Sequence, residues 1–354
     1  MKRILIAGGS GFVGEHLRRL LVSHYFEVYI LSTQKSQATQ QHVLYWSPYS
    51  KEIDLRGIDQ FDTIVNLAGA GIADKLWTKK RREELLNSRV KSIHFLQELL
   101  DREILKTDYL VQASAIGIYG DRGYEKLDEP ATRGEGYLSS LTEQWESASQ
   151  KYTLPHSIVR IGIVFDPHQG AFPKLIMGLK FRFMVIFSNG RQYISWIDIQ
   201  DLTELIYFLI NRKEMGVFNA VSPQPVQYIY LLKKFNSKFG GISIPFSVPA
   251  FILKWIIGDF SELFLFSQKV CSSKIEKLGF HFQVKNITSF FKKTYYAIYN
   301  NGKTISLKGL DKNSALAAIP FNASLQPWIK NTNNKLKSEE DMIALLNYYN
   351  SIEL

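Results

Sequence analysis

The 354-residue chain has a single cysteine, Cys271, so no disulfide can form within it. A lone cysteine among aliphatic neighbours reads as a packed side chain. A chain without disulfides fits a reducing compartment, and a cytoplasmic location is expected. The seven histidines show no metal-ligand spacing, so no metal site is expected. Long uninterrupted apolar runs are also lacking. The nearest approach is PFSVPAFILKWIIGDFSELFLF, 245–266, which Lys254, Asp259 and Glu262 interrupt. Charges at the centre of a span cost about 2.5–3.5 kcal/mol each. The stretch therefore reads as a buried or amphipathic helix and not as a transmembrane span. A role at a membrane surface is the weaker alternative. Met1-Lys2-Arg3 runs straight into ILIAGG, so no signal peptide is expected. Repeats and low-complexity tracts are absent.

Acidic residues are the scarcer charge: 33 Asp and Glu against 43 Lys and Arg, a net charge of +10. The excess is scattered, with short clusters such as Lys79-Lys80-Arg81-Arg82, and no basic stripe interleaved with aromatics. That pattern reads as a solvated basic surface, and nucleic acid is not an expected partner. Hydrophobic residues make up 45% of the chain, enough for a sizeable core.

Apolar runs and helical periodicities alternate along the first half. Strands are expected at 3–7, 27–31, 43–46, 62–70, 109–115 and 157–165. Helices are expected at 12–22, at 79–100 and over LTEQWESASQ. Such alternation implies right-handed βαβ crossovers and a parallel sheet covered on both faces. Beyond about 167 the pattern loosens. GAFPKLIMGLK and DIQDLTELIYFLIN read as helices and GVFNAVS as a strand. FRFMVIFSNGRQYISWI reads as a strand pair turning at Asn189-Gly190. Pro223 and Pro225 then break the chain. LGFHF reads as a short strand, and 298–354 as an appended tail with a helix pair.

Between the first strand and the first helix stands GGSGFVG, residues 8–14. Gly9, Gly11 and Gly14 fit G-x-G-x-x-G, and Gly8, Gly11 and Gly14 fit G-x-x-G-x-x-G. Either spacing lets backbone approach a pyrophosphate closely, with the helix N-terminus offering free N–H groups. The loop residues Gly8, Gly9, Ser10, Gly11, Phe12, Val13 and Gly14 are thus expected to hold a dinucleotide. In NAD binders an acidic residue about 20 positions on holds the ribose 2′-hydroxyl. Here the second strand ends in Ser32, Thr33, Gln34 and Lys35, and Glu27 lies at its start. Ser32, Thr33 and Lys35 favour NADP over NAD.

GGSGFVG, NLAGAGIADKLWTKKRREELLNSRV, SAIGIYGDRG, GRQYISWIDIQDL and NAVSPQPV together resemble the extended, atypical short-chain dehydrogenase/reductase superfamily. More narrowly, they are similar to its uncharacterised epimerase-family branch, which ends in a domain of unknown function. VPAFILKWIIGDFSEL, SQKV and LGFHF are similar to that domain, and the resemblance spans about 1–297. It implies an α/β fold: a Rossmann-type doubly wound parallel sheet over 1–225, carrying substrate-side segments from about 167. A smaller C-terminal substrate lobe at 226–297 would follow, and 298–354 matches nothing. It selects Gly8, Gly11 and Gly14 as the working glycines, with Gly9 as a flexible spacer. Leu67, Ala68 and Gly69 would lie beside the cofactor, and Ala113 and Ser114 beside the nicotinamide ribose.

The superfamily's catalytic set includes an asparagine, a serine or threonine, and Y-x-x-x-K. Here the tyrosine position is Tyr137, but Leu141 stands where the lysine belongs, and Arg89 stands at the asparagine position. The candidates for proton work are Ser114, Tyr119 and Tyr137. Arg89, Arg160, Arg191 and Trp196 are candidate contacts to a small, anionic or sugar-like substrate. Asp121 and Arg122 read as a rim pair or a turn salt bridge. Two functions stay open: an oxidoreductase or nucleotide-sugar-epimerase-like enzyme, and a nucleotide-binding regulator or scaffold that lost turnover, such as the division-linked relatives. A homodimer stands as a candidate assembly.

Overall fold

The computed structural model describes residues 1–237, 242–298 and 304–306. Residues 1–286 pack as one unit and 287–354 as another. In the first unit the chain runs β1 (Arg3–Ala7), α1 (Phe12–Ser23), β2 (Glu27–Ser32), β3 (Val43–Ser47), β4 (Glu52–Asp54), β5 (Thr63–Asn66), α2 (Lys79–Asp101), β6 (Leu110–Ala115), α3 (Tyr137–Ser149) and β7 (His156–Ile161). It continues through β8 (Ile163–Phe165), α4 (Phe172–Leu175), α5 (Met177–Lys180), β9 (Phe183–Phe187), β10 (Tyr193–Ile194), β11 (Trp196–Asp198), α6 (Ile199–Arg212) and β12 (Gly216–Ala220). β13 (Val226–Gln227), α7 (Tyr228–Asn236), β14 (Ile244–Val248), α8 (Ala250–Ile257), α9 (Glu262–Leu265) and α10 (Ser273–Lys277) complete it. The second unit contains α11 (Ile287–Tyr295) and the antiparallel pair β15 (Tyr296–Ile298) and β16 (Thr304–Ser306). Most of the expected tail, 298–354, lies outside the described residues.

The main sheet has eight strands in the order β12-β7-β6-β5-β1-β2-β3-β4, parallel except for β4. Successive side chains of β1 serve opposite faces. Ile4 and Ile6 join α1 and α6 on one face, and Leu5 and Ala7 join α2 and α3 on the other. All four are fully buried, and burial of each of Ile4, Leu5 and Ile6 contributes about 1.5–3 kcal/mol. The doubly wound parallel sheet is thus as expected. Strand order reverses between β1 and β5, the point where such sheets bind ligands at their C-terminal ends.

Three local expectations are corrected. The strands flanking Asn189-Gly190 do not pair: β9 runs parallel to β14, and β10 pairs antiparallel with β13. Ser188 and Gly190 do turn the chain with positive φ. Backbone bonds from Ile229 to Gly190 and from Tyr228 to Gln192 then capture the returning segment. LGFHF forms no strand. Phe280 and Phe282 drive into the core while the following N–H groups of Gln283 and Val284 bond the Asp201 carboxylate. The 245–266 stretch is not one buried helix. Pro249 and Gly258 (φ +55°) delimit α8, and no residue of α8 is buried.

Candidate functional site

The loop between β1 and α1 is built by close backbone contact. Gly8 has φ +78°, and a Cβ there would lie 2.8 Å from the Leu67 carbonyl carbon after β5. A Cβ on Gly14 would strike the Gly8 carbonyl oxygen and lie 2.7 Å from the Gly9 Cα. Gly11 donates to the Gly8 carbonyl at 3.1 Å and begins α1 without a side-chain cap. The first helical N–H groups have no intrahelical acceptor and are free to bind an anion. Gly9 is no loose spacer: a Cβ there would press into the Ile30 side chain, 2.8 Å from its Cβ. Ser10 and Gly11 are exposed, and Phe12 packs on Gly170. The fit to a dinucleotide phosphate rests on Gly8 and Gly14, where an added Cβ would meet backbone atoms closer than 3.0 Å.

At the end of β2, Ser32 is buried, donating to Gln37 Oε1 (2.7 Å) and accepting from the Gln34 N–H (3.1 Å). Thr33 is exposed. Lys35 lies 3.2 Å from Glu52 and over the Tyr45 ring. Glu27 pairs with Arg3 at the opposite end of the strand, so no carboxylate of β2 stands at its C-terminal end.

Asn66 closes β5, donating to Gln112 Oε1 (2.9 Å) and accepting from the Ala68 N–H (3.2 Å), which fixes the Leu67–Gly69 turn. Arg89 of α2 lies against that turn. A Cβ on Gly69 would be 3.2 Å from its guanidinium carbon. Arg89 donates to the Leu85 and Ala70 carbonyls (2.9 and 3.0 Å) and stacks on Trp145. Both of these acceptors are backbone carbonyls, and its buried Nε has no acceptor. Burial pushes its pKa down to about 10, which leaves it cationic at neutral pH.

Tyr137 opens α3 beside this cation. Its hydroxyl lies 3.5 Å from the Arg82 carbonyl, its ring under the Arg82 guanidinium and against Trp77. Burial raises the phenol pKa, and Arg82, Arg89 and Arg81 offset part of the rise. Leu141 is buried against Trp77 and Leu85, so hydrocarbon fills the expected lysine position and the cations come from α2. The α3 N-terminus is held by Glu262, whose two oxygens accept the Tyr137 and Leu138 N–H groups at 2.8 and 2.9 Å.

Burial, with the nearby Asp259, raises the Glu262 pKa despite the lowering by these two bonds and by Arg82. A carboxyl whose folded pKa is raised adds stability below its unfolded pKa and loses it as pH rises through the folded one. Glu262→Gln should flatten this decline in melting temperature as pH rises above the ordinary carboxylate range, read by calorimetry. Identical pH profiles would contradict that cause.

Ser114, Tyr119 and Arg160 are brought together, but in a closed buried network. Ser114 Oγ donates to Glu146 Oε1 at 2.5 Å, and Arg160 grips both oxygens of Glu146 at 2.8 Å. Arg160 also donates to the Tyr119 hydroxyl (2.9 Å), which donates to Asn219 Oδ1 (2.8 Å). Burial alone would lower the Arg160 pKa, but the Glu146 carboxylate outweighs it and holds the value up. Burial likewise raises Tyr119. Ala113, next to Ser114 in β6, is buried. Trp196 is fully buried and stacked on Phe165, and Arg191 is exposed in the turn after β9, so neither joins this network. Arg122 pairs with Glu125 and not with Asp121, which accepts from the Ser267 N–H.

Beside Tyr137 opens a cleft of about 650 Å³. Its walls include Arg122, Arg133 and Gly136 on one side and Lys254, Asp259 and Glu262 on the other. Asn219, Glu262 and the Arg81–Arg82 pair lie in stretches that carry the family resemblance, and Glu146 in an expected helix, but no site role is expected for any of them from the sequence. The two arginines stood in a cluster read as solvated surface, whereas Arg81 is buried. No group of three His, Cys, Asp or Glu among the described residues could hold a metal ion.

The NAD dependent epimerase/dehydratase family model matches residues 4–220. The chain belongs to that family. A second model, a domain of unknown function (DUF1731), matches residues 248–294. The chain is 30% identical over 296 residues to the epimerase family protein YfhF of Bacillus subtilis, covering 80% of this chain and 95% of that one. It is 32% identical over 299 residues to epimerase family protein SERP0438 of Staphylococcus epidermidis, covering 81% and 97%. Among solved structures, the human epimerase family protein SDR39U1 with NADPH superposes with a TM-score of 0.73 at 22% identity, covering 82% of this chain and 98% of that one. A UDP-glucose 4-epimerase from Thermotoga maritima gives 0.63 at 17%, covering 82% and 99%. These likenesses bear on the fold. No described helix is long and apolar enough to cross a membrane.

Proposed function

We propose that this epimerase-family chain is an NADP(H)-dependent oxidoreductase acting on a small, anionic or sugar-like carbonyl substrate. One observation carries the proposal: the uncapped glycine cradle runs through the Leu67–Gly69 turn to a buried arginine, bonded only to backbone carbonyls, beside the Tyr137 phenol. Ser10–Gly14 and the α1 N-terminus would hold the pyrophosphate, with the Leu67–Gly69 turn beside it. Thr33 and Lys35 would meet a 2′-phosphate, Lys35 leaving Glu52 to do so, and β2 itself places no carboxylate there. The NADPH recorded with human SDR39U1 supports the same choice. When bound, the nicotinamide supplies the hydride.

Tyr137 then does the proton work. A phenol whose pKa is kept up by burial is protonated at neutral pH, the state a proton donor needs. Arg89 and Arg82 would stabilise negative charge developing on the phenol and on the substrate oxygen. Ser114, Tyr119 and Arg160 keep a supporting role, holding the ends of β6, β7 and β12 in register.

The test is NADPH oxidation at 340 nm across a panel of aldehydes, ketones and oxidised sugars. Turnover with at least one member is expected. Tyr137→Phe should lower kcat by about 10²–10⁴-fold and leave NADPH affinity within about threefold. Tight NADPH binding with no turnover across the panel would overturn the enzyme reading in favour of a nucleotide-binding regulator. The buried Leu141 favours that second reading.

A further inference from the structure

Two stretches of the chain, 167–197 and 215–258, contain no Asp or Glu. At the chain average of 33 acids in 354 residues, these 75 residues would carry about seven. They do carry eight lysines and arginines. The fold brings the two stretches together, because β9 of the first pairs along its whole length with β14 of the second. α5 and α7 pack on β9, and α8 follows β14 directly after Pro249.

This acid-free assembly is also where large apolar side chains face water. Phe181 is 69% exposed, Ile244 63% and Phe246 58%. On α8, Phe251 is 72%, Trp255 86% and Ile256 63% exposed. Cations are set among them: Lys180 and Arg182 alternate with Phe181 and Phe183 and are exposed, as is Lys254 beside Trp255. Scattered exposed apolar residues need no explanation, but a concentration of them marks an interaction surface.

We infer that the α8–β14–β9 face is a peripheral docking surface for an anionic lipid bilayer. Aromatic and aliphatic side chains would enter the interfacial layer, and Lys180, Arg182 and Lys254 would meet lipid headgroups. Charge argues against a second copy of the chain on this face. Self-association through it would bring like cations together, with no acid from either stretch to pair them. No described helix is long enough to span, so the attachment is superficial and reversible. The inference is independent of the proposed chemistry.

Flotation of the full chain with vesicles tests it, using phosphatidylcholine alone and a 3:1 mixture with phosphatidylglycerol. Binding to the anionic vesicles only is expected, with a blue shift of tryptophan emission and at least a tenfold loss between about 0.1 and 0.5 M salt. Phe251→Ser/Trp255→Ser and, separately, Lys180→Glu/Arg182→Glu should each weaken binding at least tenfold with melting temperature unchanged. All four positions are exposed, so folding should survive the changes. Equal binding to neutral vesicles overturns the inference. So does a lack of binding, whether the chain is then monomeric or forms a dimer that the serine variant dissolves.

Discussion

Gly14→Ala should weaken NADPH binding at least 100-fold, about 2.7 kcal/mol, in a fluorescence titration. The added methyl would meet the Gly8 carbonyl oxygen and lie 2.7 Å from the Gly9 Cα. Both are backbone atoms, so no side chain can swing away to make room. Relief requires α1 to move off β1 or the loop to open. Either change disperses the N–H groups that the uncapped helix start presents. Leu17 and Leu21 bury the rest of α1 in the core, so the helix itself should remain folded. The loss should therefore fall on binding far more than on stability. Affinity within threefold of the unchanged chain would contradict the close-packed cradle.

Glu146→Ala should destabilise the fold by about 3–5 kcal/mol, read as a shift in urea midpoint. Removing the carboxylate strands the Arg160 guanidinium in a site where only about a tenth of its side chain is exposed. Arg160 would retain the Tyr119 hydroxyl and the Glu129 carbonyl, neither of which carries a compensating charge. Ser114→Ala should cost only about 1 kcal/mol, because the Arg160–Glu146 pair survives it. A Glu146→Ala loss below 1 kcal/mol would mean that the network is loosely held and that its members are free for other work.

Local physics made the cofactor half of the site legible in the sequence. A four-residue apolar run after Arg3, a glycine loop and an amphipathic helix need no distant partner to be recognised, and β1, the loop and α1 follow that order. The long helix α2 is equally plain from its periodicity. The catalytic half depends on residues far apart in sequence. Glu262 caps a helix 125 residues before it, and Asn219 meets a tyrosine 100 residues earlier. Arg89 could be read as a departure from a motif, but its burial without a carboxylate depends on Trp145 and the Gly69 turn folding around it. Composition also misdirects at α8, where apolar residues that predict burial stay in water. At Asn189-Gly190 the turn chemistry is right, yet β13 and β14 take the strands on either side.

Side-by-side titration of the purified chain with NADPH and NADH tests the dinucleotide site most directly. Saturable NADPH binding, at least tenfold tighter than NADH, is expected from a glycine cradle with no β2 carboxylate at the ribose end. Absence of saturable binding by both nucleotides would contradict the assignment of Gly8–Gly14 as a phosphate cradle.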